Sequence, residues 1–111
     1  MIHFLIKENK SLAKEIIIEQ IKNNKSLYSY PEFAENARYF KEDTMINVLF
    51  KRLEKTDNAY IYYPIIETII YYNDTELNKR MIEIITKNDK INDWGLEKVE
   101  KLLNKNNLKI E

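Results

Sequence analysis

Apolar residues recur at three- and four-residue spacing along almost the whole chain, and that period allows little besides α-helix. Leu12, Ile16, Ile17 and Ile21, with Gln20 among them, form one stripe over residues 11–23. Phe33, Ala37 and Phe40 form the next, running to about 41. Its start is marked by Ser29 and Glu32 as a capping box, with Pro31 in the first turn and Tyr28 and Phe33 as a hydrophobic staple. Ile46, Leu49, Phe50 and Leu53 mark a helix over 44–55. Leu77, Met81, Ile84 and Ile85 mark one over 75–87, capped by Asp74 or Thr75. Leu96, Val99 and Leu103 mark one over 93–106, with Asn92 as its cap. Ile2, Phe4 and Ile6 fit either a short strand or the first turns of a helix. Leu108 and Ile110 could dock the tail or leave it frayed.

The segment from Ala59 to Tyr72 is apolar around most of its circumference, so its helix belongs at the centre of the fold. Tyr62, Ile66, Ile69 and Ile70 cover one arc, and Ile61, Ile65 and Tyr72 widen it. Tyr60, Glu67, Thr68 and Tyr71 remain for solvent. Pro64 either kinks this helix or marks its first turn. The predicted architecture is all-α, with about six helices as three antiparallel hairpins in a single domain spanning 1–111.

Asp43-Thr44-Met45-Ile46-Asn47 recurs as Asp74-Thr75-Glu76-Leu77-Asn78, an offset of 31 residues. A fixed period of this size is a signature of stacked repeats. The run 43–107 resembles HEAT-type helical hairpin repeats, with short helix pairs, Asp or Asn at each turn, and Ile/Leu inner faces. The hairpins are shorter than the roughly 40 residues of a HEAT unit. An ordinary compact six-helix bundle is the alternative.

Composition narrows the chemistry. The chain has no cysteine, which removes disulfides and thiolate sites. Its single glycine, Gly95, falls in the first turn of a helix and forms no phosphate-binding loop. Asn and Asp punctuate the turns, tolerating backbone angles that glycine usually supplies. His3 is the only histidine, and Ser11, Ser26 and Ser29 sit at caps or turns. Glu15 with Glu19, Glu32 with Glu35, and Glu97 with Glu100 read as solvated faces. Residues 89–93 lack the glycine of a calcium loop. No catalytic constellation, metal site or cofactor is expected, and the chain reads as a non-enzyme. The 18 bases and 18 acids cancel, which argues against nucleic acid, for which Lys51, Arg52, Lys79 and Arg80 would be the contacts. No segment is long enough to span a bilayer, and residues 1–10 lack a signal-peptide layout, so the expected location is cytoplasmic.

A protein partner remains. Five of the eight tyrosines lie at Tyr60, Tyr62, Tyr63, Tyr71 and Tyr72. Acids outnumber bases nine to five from Asp57 to Glu100, a bias that suits a basic partner. The predicted contact residues are Tyr60, Tyr63, Glu67, Tyr71, Asp74, Glu76, Asp93 and Glu97. Isoleucine, lysine and asparagine dominate the composition, as AT-rich bacterial or phage coding would give. In size, all-helical build and lack of catalytic residues the chain resembles immunity proteins of bacterial toxin systems, of the contact-dependent inhibition and bacteriocin types. That resemblance implies an inhibitor that binds and occludes a cognate toxin domain, which the acidic bias would make a basic one. A scaffold or adaptor subunit is the alternative.

Overall fold

The computed structural model describes residues 2–109, with side chains from residue 4. The expectations for His3 and Ile110 fall outside the described side chains. The described residues form seven α-helices and no strand: α1 Ile2–Glu8, α2 Lys10–Asn23, α3 Tyr30–Asn36, α4 Asp43–Lys55, α5 Ala59–Tyr71, α6 Thr75–Lys87 and α7 Asp93–Lys105. The open choice at the N-terminal end resolves to helix, which makes seven rather than six.

Side-chain caps set most of the starts. Asn9, Asn58, Asp74 and Asn92 each accept a backbone N–H from the first turn of α2, α5, α6 and α7. The expected capping box at Ser29 does not form. Ser29 has helical backbone angles, and its Oγ instead accepts from Asn24 Nδ2 at 2.9 Å. Ser26, three residues earlier, takes the Tyr28 and Ser29 N–H groups on its own hydroxyl. The helix expected to reach 41 ends at Asn36 and tightens into a 3-10 turn, Ala37–Tyr39. Two carbonyls at this tightening find partners on α5 and its cap. The Thr68 hydroxyl donates to Ala34 O at 2.7 Å, and the Tyr72 hydroxyl to Ala37 O at 2.6 Å. Thr68 is therefore buried, not solvent-facing as its wheel position suggested.

The α2, α4 and α6 helices lie side by side in one layer, and α3 and α5 lie side by side in the other. The α7 helix meets α5 at Gly95, where the Tyr62 hydroxyl packs against the glycine backbone. Between the layers lie Ile17, Ile21, Tyr30, Leu49, Phe50, Leu53, Ile65, Ile66, Ile69 and Met81, all fully buried. The buried stripe of α2 runs through Ala13 and the expected Ile17 and Ile21, and lies toward that side of the expected set. Leu12 is exposed, and Ile16 is half-buried. Pro64 sits inside α5, without breaking it.

Equivalent positions in the successive helix pairs α2/α3, α4/α5 and α6/α7 recur every 32 residues. Asn24, Thr56 and Asn88 follow α2, α4 and α6. The side chain of each accepts the N–H two residues on, from Ser26, Asn58 and Lys90. Ile17, Leu49 and Met81 are buried in register, as are Ile21, Leu53 and Ile85. The sequence match at 31 is thus one residue out of phase with the structure. Its cause is that Asp43 is the first helical residue of α4, whereas Asp74 is the cap preceding α6.

Polar side chains close the ends of the first layer. Arg52 donates to the carbonyls of Ile21, Lys22 and Asn24 at 3.0, 2.9 and 3.0 Å, while its guanidinium stacks on Tyr30. Asn88 Nδ2 donates to the Leu53 and Thr56 carbonyls at 2.8 and 3.0 Å. Asn88 is buried. Its replacement by alanine would leave both carbonyls without that donor, and is expected to cost about 1–3 kcal/mol. Chemical denaturation of Asn88→Ala beside wild type checks this; an unchanged midpoint would show that the contact contributes nothing.

Candidate protein-binding groove

The exposed side of α5 carries Tyr60, Tyr63, Pro64, Glu67 and Tyr71, spaced so that they form one stripe along the helix. Neighbours on both sides turn this stripe into the floor of a groove. The α3 side supplies Pro31, Glu35 and Arg38; the α7 side supplies Trp94, Lys98, Leu102 and Lys105.

Three adjoining cavities make up the groove. The first, about 390 Å³, lies among Pro31, Ala59, Tyr60, Tyr62, Tyr63, Pro64, Trp94 and Lys98. The second, about 270 Å³, shares Pro31 and Pro64 with it and adds Glu35, Arg38 and Glu67. The third, about 250 Å³, shares Arg38 and Glu67 with the second and reaches Ile70, Tyr71, Leu102, Lys105 and Asn106.

Large rings stand open along this path. Tyr60 is 63% exposed, Tyr71 62% and Trp94 60%. Phe4, Tyr28 and Tyr39 are exposed as well, but they stand outside these cavities, whereas Tyr60, Trp94 and Tyr71 share one continuous path. Trp94 occupies the 32-residue equivalent of Tyr30 and Tyr62, both buried. In those two copies the following hairpin lies over the ring, through Arg52 and through Gly95.

Two of the rings are held by cations. The Arg38 guanidinium lies 5.1 Å from the centre of the Tyr71 ring, and Lys98 Nζ 5.0 Å from that of Trp94. These contacts fix long flexible side chains at the groove edge. Burial first, and the Glu67 carboxylate second, push the Tyr63 hydroxyl above its ordinary pKa, so it stays a neutral donor. Pro64 has no N–H to offer the Tyr60 carbonyl one turn back.

Four of the predicted contact residues, Tyr60, Tyr63, Glu67 and Tyr71, come together in this groove. The other four do not line it. Asp74 caps α6 and pairs with Lys41 at 3.3 Å. The backbone N–H of Leu77 and the Lys41 ammonium hold its carboxyl below the usual range. Glu76 lies exposed in the first turn of α6, and Asp93 in that of α7. Glu97 pairs with Lys101 at 3.6 Å. Sequence reasoning missed Pro31, Arg38, Trp94 and Lys98. The signal for two of them was present: Trp94, Lys98 and Leu102 form an i, i+4, i+8 stripe beside the inward Val99 and Leu103.

Among the described residues, no group of three or more histidine, aspartate or glutamate side chains is placed to hold a metal ion. No described helix is long and apolar enough to cross a membrane. No family model, curated protein or solved structure matches the chain.

Proposed function

We propose that this chain is a non-catalytic protein-binding module that holds its partner in the groove floored by α5 and walled by α3 and α7. The observation that carries this reading is the run of open rings, Tyr60, Trp94 and Tyr71, with the half-buried Tyr63 between them and Arg38 and Lys98 stacked at its edges. Tyrosine, tryptophan and arginine are enriched where binding energy concentrates at protein interfaces. The layered hairpins and their 32-residue recurrence support a HEAT-like helical repeat as the framework.

Within that class the preferred role is an immunity protein, acting in the cytoplasm of a bacterium to occlude a cognate toxin domain. A single small domain with one aromatic groove fits an inhibitor that works by covering a surface. The experiment is co-expression with the product of the adjacent gene. Expected outcomes are co-purification, rescue from any toxicity of that product, and loss of both in the Tyr60→Ala/Tyr71→Ala double variant. Absence of complex and rescue, or capture undiminished in the double variant, would overturn the reading.

The recurrence of stackable hairpins favours a second role, as an adaptor subunit in a constitutive assembly. Light scattering across concentrations separates the two, since the adaptor predicts a complex or homo-oligomer that persists on dilution.

A further inference from the structure

We propose that the aromatic end of the groove receives a proline-rich segment of the partner in the left-handed extended conformation, with a carboxylate of that segment set against the groove cations. The inference rests on the docking role of the groove, and deepens it by naming the chemistry of the bound chain.

The lining carries the argument. Pro31, Tyr60, Tyr63, Pro64 and Trp94 surround the largest of the three cavities. Flat rings and two prolines make most of the wall rigid, and the one long flexible side chain there, Lys98, is stacked on Trp94. Such walls suit the faces of proline rings, which lose little freedom on binding. The polyproline helix makes no internal hydrogen bonds, so its carbonyls need donors. Tyrosine hydroxyls and the indole N–H supply donors where the apolar contact is made. An α-helical occupant would arrive with its own carbonyls already paired and would leave those donors unused.

Charge and length point the same way. Lys98 stands over Trp94, Arg38 lines the next cavity, and Lys105 the third. The acids of the groove, Glu35 and Glu67, lie toward its α3–α5 side. Cations therefore stand on both walls, and those on α7 have no acid among the α7 residues that line the groove. An acidic residue in the bound segment is matched; a basic one meets Lys98 as a like charge. From Tyr60 to Tyr71 the floor runs about 16 Å at the helical rise. Roughly five residues of extended proline-rich chain cover that distance.

Trp94 is the only tryptophan, so its emission reports this cavity directly. The experiment titrates the full chain with three blocked nonapeptides. One has three Pro-Pro-Glu repeats, the second replaces each proline by alanine, and the third replaces each glutamate by lysine. The first should shift Trp94 emission saturably, with the other two binding at least about tenfold more weakly. Tyr60→Ala should weaken the first peptide about tenfold. The proposal is overturned if the first peptide leaves Trp94 unchanged up to about 1 mM, or if the alanine or lysine peptide binds as well as the first. It is overturned equally if Tyr60→Ala leaves the affinity unchanged. Loss of partner capture in the groove variants, together with failure of the first peptide, would remove this inference alone. Capture undiminished in those variants would remove the docking role itself.

Discussion

Gly95→Ala should unfold this protein at a markedly lower temperature, although it adds one methyl group to a helix and alanine is the better helix former. The glycine is buried in the first turn of α7, and a Cβ built on it falls onto the Tyr62 hydroxyl. Tyr62 cannot swing aside cheaply, because its ring is 2% exposed and enclosed by the core. Overpacking of this kind costs about 1–3 kcal/mol. For a domain of this size each kcal/mol lowers Tm by about 4–8 °C. Helix propensity alone would give the opposite sign, by about 1 kcal/mol. Tyr62→Phe removes the oxygen that the methyl meets. In a Gly95→Ala background it should therefore recover part of the loss, giving a non-zero coupling energy in a double-mutant cycle. A Gly95→Ala protein that melts with wild type would show that α7 does not approach α5 this closely.

Ile66→Ala or Ile69→Ala should cost more, about 2–5 kcal/mol each. Both side chains are fully buried on α5, the helix with neighbours in both layers. Their removal takes out transfer free energy and leaves a cavity that helices on both sides must collapse to fill. Denaturant titration reads the loss as a lower midpoint. On the other side of the same helix Tyr60→Ala should stay within about 0.5 kcal/mol, since most of its ring is already in water. That contrast separates the stabilising face of α5 from its binding face. If the isoleucine variants melted within a degree or two of wild type, α5 would not be the central helix.

The helices were largely legible in the sequence, because burial against a core imposes a period of 3.6 and a side-chain cap marks a start. The expected span 75–87 coincides with α6, and 44–55 differs from α4 by one residue. The failures have physical causes. Ser26 outcompetes Ser29 as the acceptor at the start of α3, through hydrogen bonds that no linear pattern encodes. Thr68 is polar yet buried, because its hydroxyl donates to a carbonyl on another helix, that of Ala34. The groove was half legible for the same kind of reason. Tyr60, Tyr63, Glu67 and Tyr71 share one face of one helix, which a wheel reveals. Arg38 and Trp94 join them only because α3 and α7 lie on either side of α5, and a wheel of one helix holds no information about its neighbours.

The side-chain-to-main-chain hydrogen bonds between successive helix pairs have a direction. Arg52 reaches back to Ile21, Lys22 and Asn24, Thr68 to Ala34, and Tyr72 to Ala37. Asn88 likewise reaches back to Leu53 and Thr56. In each, the later segment brings the side chain and the earlier one offers only a main-chain oxygen. A helix that has already closed displays those oxygens whatever its sequence. Through these bonds each helix pair offers main-chain acceptors to the pair made after it. A ribosome delivers the chain in that same order. The main-chain acceptors of each pair are thus made before the side chains that use them.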